Sequence, residues 1–371
     1  MKTTFLKYAS IVFASLVGAL SLESLQAQND FYNYDDGPYI FHQGDSTDVC
    51  WIDDGKLKKR TYIGNQLIPV GRSRKTPSID GKDIGYYKAL SDQDPILDHQ
   101  VAYEGVSHVA AISDIHGQYD IMLKLLKENK IVNQNGNWIY GEGHLVITGD
   151  IFDRGDRVID IVWFLIRLER QANRAGGKVH TLIGNHEWMV LNSDIRYIHK
   201  KYRYTSSRFR RPYGELFGPS SFLGDWIRSK PIYIKINDMA FVHGGISEEL
   251  FEYMPIDSVN SLYYERVLNG PEDPDDEIAN FLKNAYGPLW YRGYAYKGEF
   301  DRNRIDEILE KMNAKRIIVG HSSVPEIVSI HGNRIIFIDA NIKLGKRGEM
   351  LIVENKKIYR ANIWGQRTRL N

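Results

Sequence analysis

Asp114 and His116 stand at the end of a short apolar run, residues 108–112, and Asp150 and Asn185 stand just past two more, 145–148 and 179–183. Each run is rich in Val, Ile, Leu or Ala and is cut off by Ser or Gly, as a buried strand would be. Carboxylate oxygens, an imidazole nitrogen and a neutral amide oxygen together make a hard donor set for divalent cations. Two such cations roughly 3.5–4 Å apart need one shared ligand, and a carboxylate can give one oxygen to each. Asp150, on the middle segment, is the natural bridge. Asp114 and His116 would hold the first ion and Asn185 the second, which still lacks imidazoles. Two later segments offer them: Ala240-Phe241-Val242-His243-Gly244-Gly245 and Ile317-Ile318-Val319-Gly320-His321 are again apolar runs ending in a His beside Gly.

These residues can act together only if the chain brings them to one place. Between the first two runs, residues 118–130 carry Ile121, Met122, Leu125 and Leu126 at helical spacing; between the second and third, 157–174 carry Val158, Ile161, Val162, Leu165 and Leu168 likewise. The spacing predicts strand, helix, strand, helix, strand. Parallel strands joined by crossover helices place all their carboxyl ends on one edge, where open α/β sheets bind ligands. The polar tips therefore converge. Hydrolysis of a phosphate ester needs an activated water, neutralisation of the phosphoryl oxygens and a proton for the leaving group. His186 follows a donor directly and could supply that proton, with Asp153 holding its imidazole. Arg154 has a planar guanidinium suited to bidentate phosphate contact.

Gly149-Asp150-x-x-Asp153-Arg154-Gly155 followed by Gly184-Asn185-His186-Glu187 resembles the phosphoprotein phosphatase branch of the calcineurin-like metallophosphoesterases, over roughly residues 106–364. The resemblance implies that Asp114, His116 and Asp150 bind one metal and that Asp150, Asn185, His243 and His321 bind the other. The ions would be divalent Mn, Fe or Zn. It assigns His186 and Asp153 to catalysis, and Arg154, Arg292 and Asn185 to the substrate phosphate. Arg292 lies in Trp290-Tyr291-Arg292-Gly293, a form similar to the bacterial, Shewanella-like subgroup. Ser113 stands where the branch usually has Gly, at a position that is not a ligand. Glu187 reads as a hydrogen-bond partner behind the ligands. The implied fold is a four-layer αββα sandwich, an α/β architecture. The implied activity is a dimetal phosphomonoesterase working by attack of metal-bound hydroxide. Its expected substrate is a phosphorylated protein, peptide or small molecule, with a tilt toward phosphotyrosine. A nucleotide or dinucleoside-polyphosphate phosphohydrolase is the alternative within enzymes. A non-catalytic phospholigand-binding protein is the alternative outside them, and the intact donor set counts against it.

The rest of the chain sets the context. Its 371 residues are 43% apolar, enough for an ordinary core, and 48 Lys and Arg face 47 Asp and Glu. That balance gives no reason to expect nucleic acid or a membrane surface as partner. Lys2 and Lys7, an apolar stretch over 8–22 and then Leu25-Gln26-Ala27 form a signal-peptide layout, so residues 1–27 are expected to be removed and the chain exported to the periplasm or beyond. No later run is apolar and long enough to span a bilayer. The single cysteine, Cys50, rules out an intramolecular disulfide and reads as buried packing. Residues 28–105 read as a small β-rich extension, with Asp53-Asp54-Gly55 as a hairpin turn and 71–93 as loop, ahead of a catalytic domain over 106–371. Residues 196–211 carry seven basic residues, four aromatics and no acid. They read either as a solvated helical face or as a lid over an anionic or aromatic substrate. Residues 271–277, acidic and Pro-containing, read as an exposed loop. Strands are expected at 334–338, 350–354 and 357–363, building a second sheet.

Overall fold

The computed structural model describes residues 34–64, 67–69, 86–88, 100–296 and 302–370. The segment 1–27, expected to be a signal peptide, and most of the loop expected over 71–93 lie outside the described residues. Within that loop, however, a strand forms at Tyr86–Lys88 and pairs with Leu67–Pro69.

Strands β1 (Asp36–Gln43), β2 (Ser46–Asp53) and β3 (Lys56–Ile63) make an antiparallel meander. The turn between β2 and β3 has both central residues left-handed, Asp54 at φ 49° and Gly55 at φ 69°. Asp-Gly suits this, because a two-residue hairpin whose twist matches its strands needs positive φ at both positions. The strands at 67–69 and 86–88 are β4 and β5. β6 (Ala102–Tyr103) then opens the main body.

That body holds two six-stranded sheets. β7 (His108–Ile112), β8 (His144–Ile147) and β9 (Lys178–Thr181) are parallel, linked by helices Tyr119–Glu128 and Val158–Arg174 as the spacing predicts. β10 (Tyr233–Ile236), β11 (Met239–Val242), β12 (Arg316–Val319), β13 (Val328–Ile330) and β14 (Ile335–Phe337) form the second sheet, in order β13-β14-β12-β11-β10-β6. β15 (Glu349–Glu354), β16 (Lys357–Asn362) and β17 (Arg367–Arg369) join the first sheet, in order β17-β16-β15-β7-β8-β9. This corrects the expectation that all the late strands build the second sheet. Only β14 goes there, while β15 returns antiparallel beside β7, where Leu351 and Val353 cover the same inner face as Val109 and Ala111. β6 also crosses the boundary drawn at residue 105, since it pairs with β10 as an edge of the second sheet.

Alternation along each strand sorts the core into three apolar clusters and so into four layers. Val109, Ala111, Val146, Phe241, Ile318 and Leu351 meet between the sheets. Ala110, Ile112, Leu145 and Ile147 face outward onto the two crossover helices. Val242, Val319 and Phe337 face outward onto the helices Glu277–Lys283 and Arg302–Lys311 on the other side. The central strands of both sheets are buried on both faces, which is why they read as continuous apolar runs.

The N-terminal meander shares the first outer cluster through Tyr39, Ile40, Phe41 and Val49. Trp163 donates to the Pro38 carbonyl at 3.0 Å. The basic insert supplies the rest of this joint. Its helix, Lys200–Phe209, buries Lys201, Tyr202 and Thr205. Asp36, 2% exposed, accepts from Tyr39 (2.8 Å) and Thr205 (2.7 Å) and faces Lys201 at 3.4 Å. Lys201 and Tyr202 both reach the carbonyl of Asp156, at 2.7 and 3.0 Å, one residue beyond the Asp150 to Gly155 motif. The helical part of the insert is therefore neither lid nor simple solvated face; its inner side locks the meander to the motif loop. Residues 271–275 are exposed, as expected, and Asp276 caps the next helix through the Ala279 amide at 2.9 Å.

Glu187 ties two strand ends together. Its buried carboxylate accepts four backbone N–H groups: Gly184 (2.7 Å) and Asp150 (2.8 Å) on Oε2, and Ile151 (2.6 Å) and Phe152 (3.1 Å) on Oε1. Glu187→Gln replaces half of that acceptor with a donor aimed at two amides. It is expected to lower the free energy of unfolding by about 2–3 kcal/mol, measured by denaturant titration.

At the opposite edge, His144 and His180 touch through ring nitrogens 3.0 Å apart, packed against Tyr103. Burial, helped by Lys178, pulls His144 down to about 4. That is below the value of about 6.5 in an unfolded chain, so neutral His144 contributes stability that is complete above about pH 6.5 and is lost as pH falls from there through 4. His144→Gln, which keeps a polar partner but does not titrate, should flatten the fall of Tm over that window; an unchanged slope would show that other groups set it.

Candidate active site

The ends of β7, β8, β11 and β12 and the start of the helix Asn185–Leu191 meet at one edge of the sandwich, and Asp150 lies at the centre. Its Oδ2 is 3.5 Å from Nε2 of His116 and 3.8 Å from Nε2 of His186, while Oδ1 is 3.3 Å from Nε2 of His243. The two oxygens thus face two groups of imidazoles. His116, Asp150 and His186 form one cluster of potential donors and Asp150, His243 and His321 another, each within 4.8 Å. Asn185 Oδ1 is 2.8 Å from His243 Nε2. Asp114 Oδ1 is 3.9 Å from His116 Nε2, and its Oδ2 accepts from the Ser113 hydroxyl (2.6 Å) and the His321 amide (2.9 Å). All six residues expected to hold metal are in one place and nearly inaccessible to solvent.

Their chemistry fits two divalent cations. His116 and His243 turn Nδ1 to the carbonyls of Phe152 (2.6 Å) and Thr148 (2.8 Å), which can only accept, so Nε2 of each points inward. Nε2 of His321 is buried without a hydrogen-bond partner. Burial holds His116 down to about 3 and His321 to about 2, which keeps their lone pairs free. Burial and then the charges of Asp339 and Asp150 push Asp114 up to about 7. That is uncompensated negative charge, and a cation would relieve it. Burial opposes charge on His243, but Asp150 overcomes this and raises it to about 9.

The remaining expected residues border this cluster. Nδ1 of His186 lies 2.5 Å from Asp153 Oδ2. Burial disfavours an imidazolium there, yet Asp150 and the bond to Asp153 outweigh it and hold His186 above its ordinary value. The outcome is a buried imidazole whose charged form is favoured, oriented with Nε2 toward Asp150. Arg292 donates to the His321 carbonyl at 2.8 Å, which fixes it beside that imidazole. It also lines a cleft of about 990 Å³ with Trp290, Tyr286 and Tyr296. Arg154 is exposed at the other side, its N–H bonded to the Tyr197 carbonyl at 2.9 Å.

The backbone is strained where the chemistry would occur. Asp114, His116, Asp150, Asp153, Arg154 and His321 all have positive φ, between 46° and 70°. Each such non-glycine residue costs about 1 kcal/mol or more, and neighbouring contacts must hold it. Gly149 and Gly320 permit the close approach between segments. A Cβ on Gly149, at φ 92°, would lie 2.5 Å from the Gly184 nitrogen, and one on Gly320 would strike Ser113 and Asp114.

Two contributors were not singled out from the sequence. Asp339, fully buried, holds the loop after His321 by accepting from Ser323 and Lys343, both at 2.7 Å. It has the same signal as the other ligand segments, an acid closing an apolar run. Asp36 acts on the motif loop only through Lys201, and nothing in the spacing connects them.

Comparison with known proteins agrees with this geometry. Residues 107–325 match the family described as calcineurin-like phosphoesterase. The chain is 31% identical over 254 residues to Shewanella-like protein phosphatase 1 of Plasmodium berghei, covering 64% of this chain and 67% of that protein. It is 38% identical over 111 residues to Shewanella-like protein phosphatase 2 of Arabidopsis thaliana, covering 30% and 28%. The crystal structure of a cold-active protein-tyrosine phosphatase from a psychrophilic Shewanella species superposes with a TM-score of 0.81 at 39% identity, over 91% of this chain and all of that one. The chain belongs to the calcineurin-like phosphoesterase family.

Proposed function

We propose that this protein is an exported dimetal protein phosphatase with a preference for phosphotyrosine. The observation that carries the reading is the buried His186–Asp153 pair, set against two donor clusters that share Asp150 and flanked by Arg154 and Arg292. Asp114, His116 and Asp150 would hold one divalent cation, and Asp150, Asn185, His243 and His321 the other. Mn, Fe and Zn all suit this mixed oxygen and nitrogen set. When bound, such a pair supplies an activated water and takes up negative charge from the phosphoryl group.

The chain's own residues do the rest. Arg154 and Arg292, with Asn185, orient the phosphoryl oxygens and neutralise charge as it builds. His186 hands a proton from Nε2 to the leaving oxygen, while Asp153 holds Nδ1–H and keeps the ring in that orientation. The Shewanella protein's own description as a tyrosine phosphatase supports the phosphotyrosine preference. The signal-peptide layout supports export with cleavage after Ala27; N-terminal sequencing of protein recovered outside the cytoplasm tests it.

A panel of phosphotyrosine peptide, phosphoserine peptide and dinucleoside tetraphosphate, assayed with added Mn, Fe or Zn, separates the substrate classes. Turnover of the dinucleotide alone would sink the protein-phosphatase reading. Chelation is expected to abolish activity, and a divalent ion to restore it.

His186→Asn should lower kcat by about a hundredfold or more, and Asp150→Asn should remove activity together with bound metal measured by elemental analysis. Undiminished turnover in both variants would mean that other groups perform the chemistry.

A further inference from the structure

The mouth of the site carries an aromatic ring that the mechanism above leaves unused. Tyr197 is 44% exposed and belongs to the basic insert, yet its carbonyl accepts the Arg154 N–H and so anchors it to the phosphate-facing turn. Its ring centroid lies 5.3 Å from that of His186, inclined at 58°. The guanidinium carbons of Arg154 and Arg196 lie 5.5 and 5.6 Å from the same centroid. Arg196 is in turn fixed by two bonds to the Asp194 carboxylate, at 2.9 and 2.6 Å. The anchored backbone and the two guanidinium groups beside the ring narrow the orientations it takes, which lowers the ordering that binding against it requires.

We propose that Tyr197 is the wall of a leaving-group subsite that takes an aryl ring, a placement that rests on His186 being the proton donor as proposed above. The Tyr197 ring lies 5.3 Å from the ring that would protonate the leaving oxygen, so the group carried by that oxygen would lie within reach of it. An aryl group there could pack against Tyr197 edge-to-face or offset, the arrangements aromatic rings favour at roughly 4.5–7 Å between centroids. A serine or threonine ester presents a single carbon before its own backbone turns away, and gains no ring contact. The subsite therefore sorts phosphomonoesters by what leaves, while the metal ligands and the two arginines act on the phosphoryl group common to all of them. Phosphotyrosine in a protein and a small free aryl phosphate share this chemistry.

Metal-loaded wild type, Tyr197→Phe and Tyr197→Leu are compared on a phosphotyrosine peptide, the phosphoserine peptide of the same sequence, and phenyl phosphate. Calorimetric binding of phenylphosphonate and methylphosphonate adds a readout independent of turnover. Tyr197→Leu is expected to lose about threefold to tenfold in kcat/KM on both aryl substrates and in affinity for phenylphosphonate. It should change the phosphoserine peptide and methylphosphonate by less than about twofold, and Tyr197→Phe should match wild type throughout. Equal losses on aryl and alkyl ligands would overturn the subsite and leave Tyr197 as a support for Arg154; no loss on any ligand would overturn it as well. If wild type turns over phenyl phosphate but neither peptide, and the aryl-selective loss is still seen, the subsite stands and the protein-phosphatase reading fails.

Discussion

One carboxylate organises the edge of the sandwich on which everything else depends. Glu187 is buried, and its two oxygens accept four main-chain N–H groups drawn from two different segments. A buried anion is stable only when its lone pairs are filled, and buried amides only when they find acceptors. Each side thus meets the other's requirement. The consequence is geometric: the loop that carries Asp150, Asp153 and Arg154 is fixed against the helix start that carries Asn185 and His186. The His321 amide does the same for Asp114 from the opposite sheet, and the neighbouring Ser113 hydroxyl adds a second bond to the same oxygen. The donor atoms are held in place by bonds that do not involve them as ligands.

That arrangement concentrates negative charge where water cannot reach it. Burial, then the charges of Asp339 and Asp150, push Asp114 up to about 7, and Asp150 holds His243 up at about 9 against its burial. The same logic explains the left-handed residues. Backbone strain at Asp114, His116, Asp150, Asp153, Arg154 and His321 would relax if their neighbours were weaker, but the double-sheet core beneath and the amide bonds around them leave no room. Strain and charge collect at the one edge where the sheets end and chemistry can be exposed to a substrate.

The N-terminal meander has a part in this that its position in the chain does not suggest. Asp36, Thr205, Lys201 and Tyr202 form a buried polar relay that ends on the Asp156 carbonyl, directly after the Asp150 to Gly155 motif. The basic insert stands between meander and turn. Its inner face is structural, and its first residues, Arg196 and Tyr197, reach the mouth of the site. Buried Cys50, whose thiol burial raises to about 11, is packing material in this joint and not a reactive group.

Periodicity alone made much of this fold legible. Both crossover helices, the parallel order of the first three strands and the hairpin at Asp54-Gly55 follow from local patterns, because burial on both faces, a 3.6-residue apolar stripe and positive φ each leave a mark within a few residues. The convergence of Asp114, Asp150 and Asn185 was also legible, since parallel strand ends in one sheet share an edge; His243 and His321 were candidates by residue type and family resemblance, and they reach the site from the second sheet. What local pattern could not decide was pairing. β15 and β16 read as strands, but whether they extend the first sheet or the second depends on which edge strand offers free N–H and C=O groups, a property of the assembled sheets. The reach of Lys201 to Asp156, the four amides on Glu187 and the ring of Tyr197 beside His186 are likewise contacts between segments far apart in sequence. By itself the sequence determined which residues could do chemistry and that they would share one edge; tertiary structure alone decided what holds them there, because hydrogen-bond satisfaction in a buried site is settled between segments and not within them.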